Sequence, residues 1–179
     1  MKQVHDNLYY GPAPSKRTIP LHEVLQTCNV LVNCREISET SHWYFAKKGA
    51  KLDEEHEEDD EEPETIRKRF IACPTPSRGL APNEQVEQVC RKIVEEIRNH
   101  DSVVYVHCRD GYSECGVIVC VCMYWLKNQA DYDPIQELRL QNEYMLCNSK
   151  EQKKQAASLY PFAKKMNYWN QWSNKSRKL

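Results

Sequence analysis

The chain has 179 residues, enough for one compact unit with a real core, and its 25 Lys and Arg against 26 Asp and Glu leave a net charge of −1. Neither a nucleic-acid nor a membrane-surface preference follows from that balance, and no apolar run reaches the ~18–20 residues of a membrane span. Nine cysteines are an odd number, many sit in apolar patterns and no signal peptide opens the chain, which argues against a secreted disulfide framework and for buried thiols in an intracellular, reducing compartment, cytoplasm or nucleus.

In chain order, Asn7 to Pro14 reads as a short strand ending in a Gly/Pro turn. Ile19 to Leu25 reads as a short helix with Pro20 in its first turn. Asn29 to Cys34 is a buried strand, with Arg35 and Glu36 at its C-terminal end, where open α/β sheets place their sites; they and Glu39 are expected in a solvated loop. Between 47 and 65 the character changes, because Asp53, Glu54, Glu55, Glu57, Glu58, Asp59, Asp60, Glu61, Glu62 and Glu64 repel one another in one mobile acidic loop. Removing those ten charges from the net of −1 leaves +9, so the body is basic, and Ile66-Arg67-Lys68-Arg69 follows as a local counter-charge. The loop is either an insertion of no chemical role or a docking arm for a basic partner, this protein's own tail included.

Phe70 to Cys73 is the next strand. From Asn83 to His100, Val86, Val89, Cys90, Ile93, Val94 and Ile97 recur at steps of three and four, predicting an amphipathic helix with one face on the sheet. After the central stretch described below, Gly116 to Lys127 is apolar nearly all round and predicts a covered, central helix; Cys120 and Cys122 within it read as small core residues rather than metal ligands. Asp133-Pro134 opens another helix, aspartate as N-cap and proline at N1, carrying Ile135, Leu138 and Leu140. Asn148 or Ser149 caps the last helix, whose expected buried stripe is Leu159, Phe162, Ala163 and Met166. The tail 168–179 is aromatic and then basic, suited to stacking on nucleic acid, burial in a partner or folding back on its own domain.

The chain is organised around Ser102-Val103-Val104-Tyr105-Val106-His107-Cys108-Arg109-Asp110-Gly111-Tyr112-Ser113-Glu114-Cys115-Gly116. β-formers, a short loop with a glycine and then the apolar run predict a buried strand, a tight loop and a buried helix. That geometry aims loop N–H groups and a helix N-terminus at one spot, an anion site with Cys108 at its entrance.

This stretch resembles the signature loop of the cysteine-dependent protein tyrosine phosphatases, His-Cys, five residues, Arg, Ser/Thr, Gly, and the chain resembles their small dual-specificity branch. His107, Cys108, Gly111 and Gly116 fall on matching positions, with Arg109, Asp110, Tyr112 and Ser113 completing the anion loop. The resemblance implies an α/β fold with a central, mostly parallel sheet flanked by helices, over a domain at 1–167, and a structural role for Arg139. It also exposes three departures. Glu114 stands where relatives carry the phosphate-gripping arginine, and Cys115 where they carry Ser/Thr. Relatives further take a general-acid aspartate from the loop after the preceding strand, whereas 70–82 contains no carboxylate. Glu114 is also expected to raise the Cys108 thiol pKa. An active enzyme would need Arg109 or Arg78 to reach the phosphate from another direction and a general acid from outside that loop, and the side chain next to the cysteine is expected to point away.

The resemblance therefore implies a pseudophosphatase with a vestigial nucleophile at Cys108, without cofactor, acting through a protein partner as scaffold, competitor or structural component. The alternative is an unconventional or weak cysteine-dependent phosphatase acting on phosphoprotein or RNA 5′-phosphate. Similar small phosphatase-like proteins occur in eukaryotic cells and in large DNA viruses, some inside virions. Cys108 and Cys115 bracket one tight loop, so a reversible disulfide between them is a further expectation.

Overall fold

A computed structural model describes residues 1–15, 17–35, 69–76, 79–129, 131–141, 143 and 146–162. Glu36, Glu39, the acidic segment 47–65, Arg78, Ala163, Met166 and the tail 168–179 lie outside the described residues.

Five strands form one sheet in the order β1-β2-β5-β3-β4: β1 (Lys2–His5), β2 (Leu8–Pro12), β3 (Val30–Arg35), β4 (Arg69–Thr75) and β5 (Val104–Cys108). The β1–β2 hairpin is antiparallel and all other pairings are parallel. β5 is the middle strand, buried at every position, as a strand covered on both faces must be. Its alternation divides the core. Val104, Val106 and Cys108 join the large cluster beneath the helices α2 (Asn83–His100), α3 (Gly116–Lys127) and α5 (Lys150–Leu159), whereas Tyr105 joins Val24, Cys28 and Leu31 beneath α1 (Leu21–Thr27).

α2 buries the six apolar residues that its spacing singled out, and α3 buries nine of its residues, Cys120 and Cys122 included. α3 packs between α2 and α5 and also carries α4 (Pro134–Leu140). Trp125, 1% exposed, anchors this layer and donates its indole N–H to the Leu159 carbonyl at 3.1 Å. All nine cysteines are buried free thiols. Among the described residues no helix is long and apolar enough to cross a membrane.

The caps follow local chemistry. The Asp133 side chain accepts from the N–H groups of Ile135 and Gln136, and Ser149 with Gln152 completes a reciprocal capping box at α5. Several expectations need correction. Pro20 precedes α1 as its N-cap residue, because it fits the flanking extended conformation, so the helix starts at Leu21 and runs to Thr27. β4 extends to Arg69 and Thr75, following its partner β3. Leu140 is 75% exposed: only the short α4 carries it, and its spacing from Leu138 turns it away from the α3 contact. The last helix ends at Leu159 and tightens into a 3₁₀ turn at Tyr160–Phe162, its buried face being Gln152, Gln155, Ala156 and Leu159.

Candidate active site

The loop from Cys108 to Gly116 joins the C-terminal end of β5 to α3, at the edge where parallel α/β sheets present ligand sites. Its shape is imposed from three sides. Gly111 has φ +84°, a left-handed conformation, and a Cβ there would sit 2.5 Å from the Gly11 carbonyl carbon, so only glycine lets the loop lie on the end of β2. A Cβ on Gly116 would come within 2.5 Å of the Cys147 backbone nitrogen. On the third side, Gln152 of α5 donates its side-chain N–H to the Ser113 carbonyl at 2.8 Å, an oxygen that also accepts from Gly116 N–H at 3.1 Å.

Cys108 and Cys115 meet inside this loop, their sulfurs 3.4 Å apart, and Gly111 donates its N–H to the Cys108 sulfur at 3.3 Å. The Cys115 thiol, then the backbone N–H groups of Cys115 and Gly111, stabilise the ionised form of Cys108 and outweigh burial. The Cys108 thiol is lowered to about 6, while the same contact and burial push Cys115 well above the thiol range. The expected upward shift of Cys108 is thus reversed in its net effect. Glu114 does pull upward, but the thiol and amide donors win.

Glu114 is half-buried, and its Oε2 is buried with no hydrogen-bond partner among the described residues. Its carboxyl group is near enough to Cys108 to pull that thiol's pKa upward. Arg109, by contrast, pairs with Asp110 at 3.7 Å and keeps its side chain 75% exposed, facing solvent as expected. Tyr112 is 40% exposed on the rim, Ser113 half-buried.

His107 is buried beneath the loop, stacked on Tyr105 with ring centroids 5.8 Å apart. Burial, helped by the charge of Arg35, lowers its pKa to about 4 and keeps the imidazole neutral. Arg35 itself is exposed at the end of β3, on the site's edge of the sheet. The nine residues 107–109 and 111–116 and Asp110 thus lie together at one strand end, while Glu36 and Arg78 are outside the described residues.

Three contributors carried little sequence signal. Tyr105 donates its hydroxyl to the Pro12 carbonyl at 2.7 Å, fixing the floor on which Gly111 rests; it looked like one more β-former. Gln152 and Gln155 of α5 looked like helix surface, yet Gln155 donates to the Ala81 carbonyl at 2.6 Å and to Asn83 at 2.9 Å, so one helix ties the cysteine loop and the loop after β4 together. A glutamine three residues after Ser149, the spacing of a capping box, is the one sequence signal that could have pointed to either residue.

No family model matches the sequence, and no curated protein does. Many solved structures share the fold. The active form of Tk-PTP is similar at 19% identity and TM-score 0.64, over 89% of this chain and 95% of that one. The human tyrosine phosphatase-like serine/threonine/tyrosine-interacting protein is similar at 10% identity and TM-score 0.60, over 88% and 93%. The core catalytic domain of the PP-IP phosphatase SIW14 from S. cerevisiae is similar at 12% identity and TM-score 0.61, over 96% and 92%. With strand order, cysteine loop and these likenesses in agreement, the chain has a dual-specificity phosphatase-like fold.

Proposed function

We propose that this chain is a catalytically impaired dual-specificity phosphatase-like protein that works by binding a protein partner as scaffold, competitor or structural component. The observation that carries this reading is Glu114, which brings into the loop that would receive a phosphate a carboxyl group with one buried oxygen unpaired among the described residues and opposes ionisation of Cys108. A guanidinium grips two phosphate oxygens and supports the transition-state charge; a carboxylate repels both. At ~4 Å and an effective dielectric of ~20 a unit-charge contact is worth roughly 4 kcal/mol, so reversing its sign shifts phosphate binding by up to about twice that. The lack of any carboxylate in 70–82 removes a further factor of roughly 10² to 10⁴ from general-acid catalysis.

One observation favours the competing reading, a weak or unconventional phosphatase on phosphoprotein or RNA 5′-phosphate. Cys108 is held near 6 and is therefore thiolate at neutral pH, the state a nucleophile needs. Hydrolysis of a generic aryl phosphate separates the two readings, with Cys108→Ser as blank and Glu114→Arg alongside. The binding reading expects no turnover by wild type above the blank. Turnover that disappears in Cys108→Ser overturns it, and activity gained in Glu114→Arg shows that the charge at 114 silences an otherwise competent loop.

A further inference from the structure

The loop between β5 and α3 holds a negative charge that nothing around it answers. Glu114 Oε2 is buried and has no hydrogen-bond partner, and none of the ion pairs among the described residues includes Glu114. Arg109, the cation nearest in sequence, turns outward to Asp110 at 3.7 Å instead. The donors that would draw an anion into the loop are already engaged, because the N–H groups of Gly111 and Cys115 serve the Cys108 sulfur. We propose that the loop is a receptor for a cationic side chain, an arginine of the protein partner whose guanidinium donates to Glu114 and stacks on Tyr112 at the rim. This inference rests on the binding reading given above and names the chemistry of the partner.

A guanidinium suits the site on each side. A buried carboxylate oxygen without a donor carries its full desolvation cost, and the planar N–H fork of arginine removes that cost while keeping the approach of the chain shallow. Tyr112, two residues before Glu114, is 40% exposed and offers an aromatic face on which a guanidinium plane stacks. Glu114 is half-buried, so its carboxyl group is open to a group arriving from outside. Cys108, a thiolate at neutral pH, adds a second negative charge close enough for Glu114 to act on it, and a cation between them relieves that repulsion. Lysine, a point charge without a planar face, meets these demands less well.

The probe is Nα-acetylarginine methylamide, with Nα-acetylcitrulline methylamide as its neutral counterpart of nearly the same shape. Each is titrated at neutral pH into the full ¹⁵N-labelled chain, and the amide signals of Gly111, Tyr112, Glu114 and Cys115 are followed by nuclear magnetic resonance. The expected result is saturable shifts at these amides with the arginine probe and none with citrulline. In Glu114→Gln the affinity falls about tenfold, as the loss of one charge-assisted hydrogen bond requires. Equal shifts with citrulline, no shift at these amides with arginine, or an affinity unchanged in Glu114→Gln overturns the proposal. The two probes on wild type decide this without reliance on a variant. The binding reading fails separately: hydrolysis of an aryl phosphate that depends on Cys108 refutes that reading, whereas an inert chain that ignores arginine refutes the receptor alone.

Discussion

Replacing Cys115 with alanine tests the electrostatics of the loop at its largest single contribution. Cys108 is lowered from 9.0 to about 6, first by the Cys115 thiol at 3.4 Å and then by backbone N–H groups, against the opposing pull of burial and Glu114. That depression corresponds to roughly 4 kcal/mol in favour of the thiolate. At pH 7 a thiol titrating at about 6 is roughly nine-tenths ionised. Without the Cys115 donor, burial and Glu114 face only the amides, and the titration midpoint moves upward, cutting the thiolate fraction at pH 7. Thiolate ultraviolet absorbance against pH, taken as the difference between each protein and its Cys108→Ser counterpart, isolates this titration. Cys115→Ser restores a donor and keeps the midpoint low. An alanine variant that still titrates near 6 would refute the assignment of the depression to the thiol contact.

Glu114→Gln works in the opposite direction: removing the carboxylate lowers the Cys108 midpoint below that of wild type and strengthens orthovanadate binding at least tenfold, measured by calorimetry. His107 is neutral when folded because burial holds it at about 4, below its ordinary 6.5, so its share of stability is whole above 6.5 and is lost as pH falls toward 4. The slope is ~1.4 kcal/mol per pH unit, about 3 kcal/mol in all, and urea titrations of His107→Asn flatten by that amount over this window. Gly111→Ala forces a side chain into a left-handed position against β2 and costs at least about 2 kcal/mol in the same assay. Ser149→Ala removes half of the α5 capping box for ~1 kcal/mol, and a loss below a few tenths would mean that the box is not formed.

The parts of the fold that the sequence announced are those where burial and period coincide. The α2 stripe from Val86 to Ile97 leaves one reading, and the run from Val104 through Gly111 to the apolar α3 leaves one order of strand, loop and helix. β1 was silent because it is an edge strand with Val4 as its one buried residue, so its polar alternation looked like loop. Leu140 misled because a hydrophobic residue at a helix end carries no information about which side faces the core. At the site, the identities of Cys108, Glu114 and Cys115 were readable, but the sign of the thiol's shift was not. It depends on which donors lie within about 3.5 Å of one sulfur, and that is decided by the Gly111 conformation and by the sulfur contact.

The bracing of the loop by Pro12, Cys147 and Gln152 has a consequence for how such a protein changes over time. None of those supports is made by the side chains of Cys108, Glu114 or Cys115, so the loop's form is inherited separately from its charge. Side chains inside the frame are free to change in sign while the frame itself stays fixed, so giving this loop a phosphate-gripping side chain is a matter of substitution, not of refolding.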